Sequence, residues 1–478
     1  MKQNLIAGRW VDSTHSIANI NPSDLSDKID EYASADATDV SEAVESARLA
    51  FPSWAGSSPE FRADILERVA SEILARREEL GELLSREEGK TLAEGIGEVT
   101  RAGRIFRYFA GEALRQFGER IDSVRKGVEV EVMRESEGVI GIITPWNFPM
   151  AIPAWKIAPA LAYGNTVVFK PSELVPGSAW ALADVLFRSG IPAGVFNLVM
   201  GRGSVVGSAI VHSPFVRAVS FTGSVQTGRK VGIACMERGK KVQMEMGGKN
   251  PLIICSDADL DVAVSVALNG SYFSTGQRCT ASSRLIVEDA IHDSFVEVML
   301  ARLSKLRVGH ALDPNTEIGP VASEAQLKKD LEYIEIGKAE GADLVFGGQR
   351  LNRTTDGFFL QPALFVSSMN SMRINRDEIF GPIAAVLRVS DYEEAVSVAN
   401  ETNFGLSSGI CTRSLARASD FKKRSSAGMV MVNTPTAGVD YHVPFGGRGQ
   451  SSYGPREQGS HAREFYTALK TVYVTPSP

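Results

Sequence analysis

A chain of 478 residues is roughly three times the length of a typical single domain, so we expect more than one hydrophobic core. The composition, 44% hydrophobic and 23% charged, is typical of a globular protein and excludes a disordered chain, and no apolar run is long enough to predict a membrane span. The net charge of −6 provides no basic face for phosphates, so we expect no nucleic-acid partner.

The first quarter of the chain is predicted to be mainly helical behind a polar start. Residues 1–8 carry one basic residue and then turn polar, which predicts neither a signal peptide nor a transit helix. Apolar residues then recur at three- and four-residue intervals over 39–48, 61–80 and 98–115. This period predicts successive amphipathic helices.

After the predicted helices, apolar residues recur at every second position. Val128, Val130 and Val132 alternate with glutamates, which predicts an exposed or edge strand whose one face needs a partner. Such a strand often pairs with another subunit. A short strand predicted over 471–474 matches it, and we expect the two to belong to one small sheet.

From Gly138 onward, short Val-, Ile- and Phe-rich runs alternate with segments of helix length, which predicts parallel sheets with crossover helices. The predicted strands before Gly248 are 139–143, 166–169, 195–199 and 218–221. Those after Gly248 are 251–255, 284–287, 384–389 and 429–432. No linker separates the two halves, so we expect two α/β domains packed together around a cleft.

The chain has four cysteines, Cys235, Cys255, Cys279 and Cys411. They are widely spaced and form no C-x-x-C pair, which argues against a zinc knuckle, an iron–sulfur cluster or a disulfide framework. We therefore expect no metal site and a reducing compartment.

Cys279 lies in a small, polar segment, between Gly276 and Thr280. There a thiol can be exposed, and the neighbouring Arg278 can favour its thiolate, as a nucleophile needs. The alternative interpretation is that a lone cysteine is a small buried hydrophobe.

The segments around Glu245 and Asn147 make these residues candidates for a general base and an oxyanion donor. Glu245 lies between two methionines and directly before a Gly-Gly turn, and an apolar setting raises a carboxyl pKa toward that of a general base. Asn147 follows a predicted strand in a turn bounded by two prolines, where a rigidly aimed amide can stabilise an oxyanion. The alternatives are a solvated strand-end glutamate and an ordinary turn residue.

Two glycine patterns follow predicted strands, from Gly201 to Gly207 and from Phe221 to Gly228. Neither fits the dinucleotide fingerprint G-x-G-x-x-G. The second also fails as a P-loop, because Arg229 stands where lysine is required. What remains is a strand-to-helix turn able to seat a pyrophosphate at a helix N-terminus.

Taken together, seven motifs resemble those of the aldehyde dehydrogenase superfamily in order and spacing, and the similarity runs from about Leu5 to the C-terminus. The motifs are Thr144–Pro149, Lys170–Glu173, Phe221–Ser224, Glu245–Lys249, Gly276–Cys279, Glu378–Pro382 and Pro444–Gly447. The resemblance implies an α/β fold with an atypical Rossmann-like cofactor domain, an α/β catalytic domain and a small β oligomerisation element.

The resemblance also implies domain boundaries and an assembly. The cofactor domain is expected to comprise 1–119 and 138–246, the catalytic domain 247–446, and the oligomerisation element 120–137 and 460–478. We expect a homodimer or homotetramer in the cytoplasm.

The resemblance further implies a catalytic apparatus. Cys279 is the expected nucleophile, Asn147 with the Cys279 backbone N–H the oxyanion hole, and Glu245 the base that activates the deacylating water. Lys156 and Glu457 occupy positions that the family uses for a proton relay. Attack forms a thiohemiacetal, hydride departs to a nicotinamide, and water hydrolyses the thioester to the acid.

The implied cofactor is NAD or NADP. Glu173 should bond a ribose 2′-OH and repel a 2′-phosphate, whereas Lys170 and Ser172 tolerate one, so this segment does not decide between the two. The cofactor contacts implied by the match are Ile143, Thr144, Pro145, Trp146, Lys170, Ser172, Glu173, Phe221, Thr222, Gly223, Ser224, Gly247, Glu378 and Phe380.

The run 439–459 resembles the dehydrogenases that act on 2-oxoglutarate semialdehyde (2,5-dioxopentanoate). It implies a small acidic aldehyde, with succinate semialdehyde or another aliphatic aldehyde as the alternative. Arg278 is a candidate for the substrate carboxylate, or else it supports the loop or lowers the Cys279 pKa. The implied aromatic walls of the substrate tunnel are Phe148, Trp155 and Phe445.

Two other hypotheses compete with hydrolytic oxidation. A CoA-acylating dehydrogenase would transfer the acyl group to CoA, but such enzymes lack the general-base glutamate, and Glu245 is present. A catalytically silent structural or binding protein with this fold is disfavoured because Cys279, Asn147 and Glu245 are all intact.

Overall fold

The computed structural model describes residues 1–115 and 118–475. The strands, in chain order, are β1 (Asn4–Ile6), β2 (Arg9–Val11), β3 (Ser16–Asn21), β4 (Asp24–Ala33), β5 (Glu119–Asp122), β6 (Glu129–Ser136), β7 (Val139–Ile143), β8 (Thr166–Lys170), β9 (Phe196–Leu198), β10 (Val216–Thr222), β11 (Lys241–Glu245), β12 (Asn250–Ile254), β13 (Ser282–Glu288), β14 (Asp343–Phe346), β15 (Ala363–Val366), β16 (Ile383–Val389), β17 (Ser407–Cys411), β18 (Met429–Val432), β19 (Ser452–Tyr453) and β20 (Thr467–Val474). The α-helices are α1 (Ala37–Ala55), α2 (Pro59–Ala75), α3 (Arg77–Glu88), α4 (Leu92–Ala113), α5 (Ala151–Ala162), α6 (Pro176–Arg188), α7 (Ser208–His212), α8 (Val225–Met236), α9 (Leu260–Tyr272), α10 (Asp289–Leu303), α11 (Glu324–Ala339), α12 (Arg373–Arg376), α13 (Tyr392–Asn400), α14 (Leu415–Arg424) and α15 (Arg463–Tyr466).

The predicted opening helices are present, but one of them is divided. The pattern over 61–80 is shared between α2 and α3, because Arg76 leaves the helical region with φ −104° and ψ 18°. The start of α4 is fixed by a capping box in which Thr91 and Glu94 each bond the other's backbone N–H. This cap also fixes where Glu94 points at the beginning of the longest helix.

The first large sheet has the strand order β19-β11-β10-β7-β8-β9-β1-β2. Its five central strands, β11 to β9 in that order, are parallel, as their buried Val- and Ile-rich sequences predict. The chain runs outward through β7, β8 and β9 and then returns to add β10 and β11 on the other side of β7. The strand order therefore reverses between β7 and β10, and loops at the carboxyl ends there diverge to leave a crevice.

The second large sheet has the order β14-β15-β16-β13-β12-β17-β18 and is parallel except at β14. Only residues 246–249 separate the end of β11 from the start of β12. The carboxyl edge of the first sheet therefore adjoins the amino edge of the second, where the loops that precede β12, β13 and β16 lie. This junction brings together segments far apart in the chain.

The third sheet decides between the two alternatives, exposed or edge, that the sequence left open for one strand. Its order is β20-β6-β5, so the strand predicted around Val128 to Val132 is the middle strand and not an edge. The predicted pairing with the C-terminal strand is confirmed, since β20 runs antiparallel along all of β6. Alternation alone could not distinguish an edge strand from an exposed middle strand that has a neighbour on each side.

No helix within residues 1–115 and 118–475 is long and apolar enough to cross a membrane. The predicted domain boundaries stay a prediction, and the predicted segment 460–478 ends in residues 476–478, outside the described part of the chain. β19 joins the first sheet although it lies far beyond residue 246.

Asn165 ties the first sheet to the C-terminal segment, so we expect Asn165→Ala to be destabilising. Its fully buried side chain accepts from the N–H groups of Glu137 and Gly138 (2.7 and 3.0 Å) and donates to the carbonyls of Ala160 and Tyr466 (3.1 and 2.9 Å). Truncation removes the acceptor of the Glu137 and Gly138 N–H groups and the donor to the Tyr466 carbonyl, whereas the Ala160 carbonyl keeps the backbone N–H of residue 165, and we expect a cost of about 2–4 kcal/mol.

Thermal unfolding measures this cost, with the exposed Asn315→Ala as the matched control. A midpoint in Asn165→Ala equal to that of the control would contradict the expectation.

Candidate active site

The loop before Cys279 has an uncommon backbone. Ser274, Thr275 and Gly276 have φ of 50°, 56° and 67°, in the left-handed region. The N–H and hydroxyl of Ser274 both donate to Glu94 Oε1, at 2.7 and 3.0 Å. These bonds to α4 offset the strain of the turn and fix the path of the chain into Cys279.

Cys279 is the one partly exposed cysteine in the described chain, and the other three are buried. Burial raises the pKa of its thiol, and Glu378 and Glu245 raise it further, whereas the N–H groups of Cys279 and Thr280 oppose the shift. The direction is opposite to that expected from Arg278, because the loop is buried and its charged neighbours are carboxylates. The thiol therefore stays protonated until a base accepts its proton.

Arg278 is committed to a protein partner. Its Nη2 lies 3.4 Å from Glu94 Oε1, the oxygen that also accepts from Ser274. This contact matches the alternative in which Arg278 supports the loop. The substrate contact predicted for Arg278 stays a prediction.

Asn147 is held from two sides in the turn after β7. Its Nδ2 donates to the Gln277 carbonyl at 2.9 Å, so the amide is directed at the cysteine loop. Its own carbonyl accepts from Lys90 Nζ at 2.7 Å, and Lys90 pairs with buried Glu98 at 2.7 Å. Glu98 also accepts from the first N–H groups of α5. Sequence reasoning missed this network, since the contacts of Lys90 with Asn147 and of Glu98 with the start of α5 join residues 52 to 57 positions apart.

Glu245 ends β11 and is buried. Burial raises its pKa well above the ordinary value, as the sequence predicts, and nearby Glu457 raises it further. Ser452 opposes this shift by donating its hydroxyl to Glu245 Oε2 at 2.5 Å, while accepting from the Gly447 N–H at 2.7 Å. Ser452 is a functional candidate for which the sequence offered no signal beyond its place in a family-like run.

Lys156 and Glu457 form a fully buried ion pair. Lys156 Nζ also donates to Ser220 Oγ at 2.8 Å, and Ser220 reaches Gln243 Oε1 at 3.2 Å. The Glu457 charge acts on Glu245 and shifts its pKa. The two residues predicted for a proton relay are therefore brought together beside the predicted base.

A cavity of about 180 Å³ opens beside Asn147 and Cys279, and Glu245, Lys156 and Glu457 are not part of its lining. Its walls come from the turns after β7 and β10 and from the loops before β13 and β16. The predicted residues on its walls are Pro145, Trp146, Asn147, Thr222, Gly223, Ser224, Gly247, Cys279, Glu378 and Phe380. Gln326 and Lys329 of α11 also line the cavity, together with Ile152 and Met246, and none of these four was among the predicted site residues.

The floor of the crevice has groups suited to a polar ligand. The hydroxyls of Thr144 and Thr222 lie at the ends of β7 and β10, and both are buried without a partner in the described chain. Ser224 caps α8 by accepting from the Thr227 N–H at 3.3 Å. The turn from Phe221 therefore runs from strand to helix as predicted, and its helix N-terminus faces the crevice.

Four further predicted cofactor residues lie on or after β7 and β8. Lys170 Nζ is 3.6 Å from Glu173 Oε1, and burial lowers the Lys170 pKa. Glu173 accepts from the Gly203 N–H at 2.5 Å, which brings the first glycine pattern against this segment. Ser172 accepts from the N–H of residue 174 at 3.3 Å, and Ile143 ends β7 in the core.

Glu378 and Phe380 approach from the second sheet. Glu378 Oε1 accepts from the Gly248 N–H at 2.9 Å, and Phe380 (φ 70°) packs edge-on against Trp146 with ring centres 5.4 Å apart. A Cβ at Gly247 would lie 2.1 Å from Glu378 Oε2, so only glycine allows this approach. The two sheets are thus joined across the cavity.

The predicted aromatic walls lie on the other side of Cys279. Trp155 stacks on Phe445 with ring centres 5.3 Å apart, and Cys279 packs against the apolar cluster that contains Phe445. Phe148 lies beneath Lys90 Nζ at 3.9 Å.

Comparison with known proteins agrees with this geometry. The chain matches the aldehyde dehydrogenase family over residues 10–472. It is 43% identical to the α-ketoglutaric semialdehyde dehydrogenase of Bacillus subtilis, covering 99% of this chain and 98% of that protein. It is 41% identical to the α-ketoglutarate semialdehyde dehydrogenase of Haloferax volcanii, covering 98% of each.

Among solved structures, betaine aldehyde dehydrogenase from Staphylococcus aureus in complex with NAD+ superimposes with a TM-score of 0.97 at 35% identity, covering 100% of this chain and 96% of that one. The chain belongs to the aldehyde dehydrogenase family. The predicted family and fold, with an atypical Rossmann-like cofactor unit, are confirmed.

The thiol geometry generates a labelling prediction. Iodoacetamide should modify Cys279 in the native protein before any other cysteine, because Cys279 alone among the described cysteines is partly exposed. Its raised pKa leaves little thiolate at neutral pH, so the rate should climb as the pH rises above neutrality.

Mass spectrometry of the modified peptides follows the order of reaction, and Cys279→Ala serves as the control. Earlier modification of Cys235, or a rate already at its plateau at pH 7, would contradict this account.

Proposed function

We propose that this enzyme oxidises 2-oxoglutarate semialdehyde to 2-oxoglutarate with NAD or NADP, through a cysteine thioester that water hydrolyses. The observation that carries the mechanism is the convergence of Cys279, Asn147 and Glu378 on one cavity, with the Glu245 charge acting on the same thiol. The names of the two relatives support the substrate, since both act on α-ketoglutarate semialdehyde by name.

In the first step Cys279 Sγ attacks the aldehyde carbon and its proton passes to a base. The carbonyl oxygen becomes an oxyanion, which the Asn147 amide and the Cys279 backbone N–H stabilise. Asn147 uses one N–H on the Gln277 carbonyl, and no acceptor among the described residues occupies its other N–H, which we assign to the oxyanion. The hydrogen bond from Lys90 to the Asn147 carbonyl, together with the Lys90–Glu98 ion pair, keeps this donor fixed as charge develops.

A nicotinamide dinucleotide fits the crevice. Lys170 and Glu173 would hold the adenosine ribose, the α8 N-terminus at Ser224 the pyrophosphate, and Glu378 the nicotinamide ribose. The unpartnered hydroxyls of Thr144 and Thr222 offer further polar contacts there. When bound, the nicotinamide would supply the hydride acceptor for the thiohemiacetal, so that Cys279 would then carry the acyl group as a thioester.

In the second step Glu245 removes a proton from the water that attacks the thioester. Its raised pKa makes its carboxylate form a stronger base than an ordinary glutamate, and the Ser452 hydrogen bond opposes that rise. The buried Lys156–Glu457 pair offers an exit route for the proton, since Glu457 interacts electrostatically with Glu245. Water as the acyl acceptor requires this base, which disfavours the CoA-acylating alternative.

We further propose that the enzyme works as a homodimer or homotetramer in the cytoplasm. The three-stranded sheet exposes large apolar side chains that suit contact with a second copy. They are Ile121, Met133, Leu469 and Tyr473. The domain division predicted from the sequence agrees with this proposal, because this sheet belongs to the segments predicted for oligomerisation.

A steady-state panel tests the function. We expect the highest kcat/KM for 2-oxoglutarate semialdehyde, a lower one for succinate semialdehyde, and the lowest for pentanal, with NAD and NADP each supplied. Cys279→Ala should abolish oxidation, since the acyl group has no other acceptor, whereas buried Cys235→Ala should retain it. A preference for pentanal, or acyl-CoA formed faster than free acid, would refute the proposal.

Removing the Ser452 hydroxyl should raise the pKa of Glu245. Ser452→Ala removes a hydrogen bond that lowers the Glu245 pKa, so the pKa rises and the base form appears at higher pH. The rising limb of kcat against pH should move to higher pH, with kcat at pH 7 falling roughly tenfold.

Ser452→Thr keeps the hydroxyl and should preserve the profile. The pre-steady-state burst of reduced cofactor should survive in Ser452→Ala, because hydride transfer precedes deacylation. An unmoved pH profile would show that Ser452 does not position Glu245.

A further inference from the structure

A group of buried hydrogen-bond donors beside the site is not used by the steps above. Arg101 of α4 donates from Nη2 to Gln458 Oε1 at 3.2 Å, and its guanidinium carbon is 5.9 Å from the centre of the Trp155 ring. Arg101 Nε, Gln458 Nε2 and Trp155 Nε1 are all buried, and each has no acceptor in the part of the chain that the structure describes.

Arg101 contacts both Gln458 and Trp155, and each of the three residues carries one such donor. A buried polar group without a partner costs about 1–3 kcal/mol, and most buried donors are satisfied. The acidic groups near Arg101 do not fill this need. Glu98 is used by Lys90 and by the start of α5, and Asp440 is exposed and forms no ion pair with Arg101. The three donors are therefore available to an acceptor that a ligand supplies.

Contacts lead from this group to the nucleophile. Arg101 faces Trp155, Trp155 stacks on Phe445, and Phe445 belongs to the cluster against which Cys279 packs. Burial lowers the pKa of the Arg101 guanidinium, and Glu98, Asp440 and the Cys279 thiol oppose that shift. Arg101 is therefore close enough to interact electrostatically with the sulfur of Cys279.

We propose that Arg101, with Gln458 and Trp155, forms the subsite that binds the carboxylate and the neighbouring oxo group of the substrate. This assignment rests on the proposed function. The guanidinium fork of Arg101 binds the carboxylate, and the amide of Gln458 and the indole N–H of Trp155 donate to the 2-oxo oxygen and the remaining carboxylate oxygen. Arg101 thereby becomes a specificity-determining residue for the oxidation at Cys279.

This subsite distinguishes between acidic aldehydes. In 2-oxoglutarate semialdehyde the carboxylate lies four bonds from the aldehyde carbon and carries an oxo group beside it. Succinate semialdehyde is one carbon shorter and lacks that oxo group, so it leaves donors unpaired. A site built to hydrogen-bond a group discriminates strongly against an analogue that lacks it.

Arg278 serves a different purpose. Glu94 Oε1 binds both Arg278 and Ser274, so the Arg278 charge is paired with a carboxylate that supports the loop that carries Cys279. Arg101 has no carboxylate partner of this kind among the described residues, which is why the substrate carboxylate is assigned to it.

The test compares full-length variants on 2-oxoglutarate semialdehyde and pentanal. In Arg101→Met the ratio of kcat/KM for the acidic aldehyde to kcat/KM for pentanal should fall about 30-fold or more, chiefly through KM. Arg101→Lys should restore part of the ratio by restoring charge without the fork. Arg104→Met, an exposed arginine on the same helix, is the matched control and should leave the ratio unchanged.

The outcomes separate this assignment from the proposed function. If the wild-type enzyme itself does not prefer 2-oxoglutarate semialdehyde, the proposed function fails and the subsite with it. If the wild type shows the preference and Arg101→Met keeps it, while Arg278→Met loses it, only the assignment to Arg101 is overturned.

A second readout does not depend on turnover. Binding of 2-oxoglutarate should raise the thermal midpoint of the wild type and not that of Arg101→Met. If Arg101→Met does not fold, Arg101→Gln and Arg101→Lys carry both measurements, and a retained substrate ratio together with a retained thermal shift overturns the proposal.

Discussion

The site depends on one face of α4. Glu94, Glu98 and Arg101 stand at i, i+4 and i+7, so they project from the same side of the helix. Glu94 holds the left-handed turn that leads to Cys279, and Glu98 holds Lys90 and the start of α5 on either side of the Asn147 turn. Neither sheet contains this helix. A rigid helix outside the sheets therefore sets the distance between the nucleophile loop of one sheet and the oxyanion donor of the other.

That arrangement is possible because the carboxyl edge of the first large sheet adjoins the amino edge of the second. The carboxyl ends of β7, β10 and β11 supply Asn147, the turn that contains Ser224, and Glu245, while the loops before β13 and β16 supply Cys279 and Glu378. The short connection over 246–249 fixes the edges against each other, and Gly247 permits Glu378 to approach closely. Burial at this junction raises the pKa of Cys279 and of Glu245 together, so acid–base chemistry is sensitive to every charge placed there.

Sequence reasoning predicted what local pattern determines. Parallel strands such as β7 and β8 are continuous apolar runs, and the motifs around Cys279, Glu245 and Asn147 are contiguous, so the fold class and the central residues could be named. It failed where tertiary pairing decides. The period of β6 does not reveal two neighbours, and the pattern over 61–80 does not show the break at Arg76. Ser452 and Glu94 act through partners about 200 positions away, which no spacing rule identifies.

The two arginines show why adjacency in sequence is a weak guide to contact. Arg278 is next to the nucleophile in the chain, yet its guanidinium is bound by Glu94 and its charge is offset before any substrate arrives. Arg101 is 178 positions from Cys279 in a helix that the sequence marks only as amphipathic, yet it keeps a buried donor unpaired near the reacting sulfur. A charge already paired with a carboxylate offers little to an anionic substrate, whereas a desolvated and unpaired guanidinium gains most from one. Specificity for an acidic aldehyde therefore depends on which arginine the fold leaves without a carboxylate.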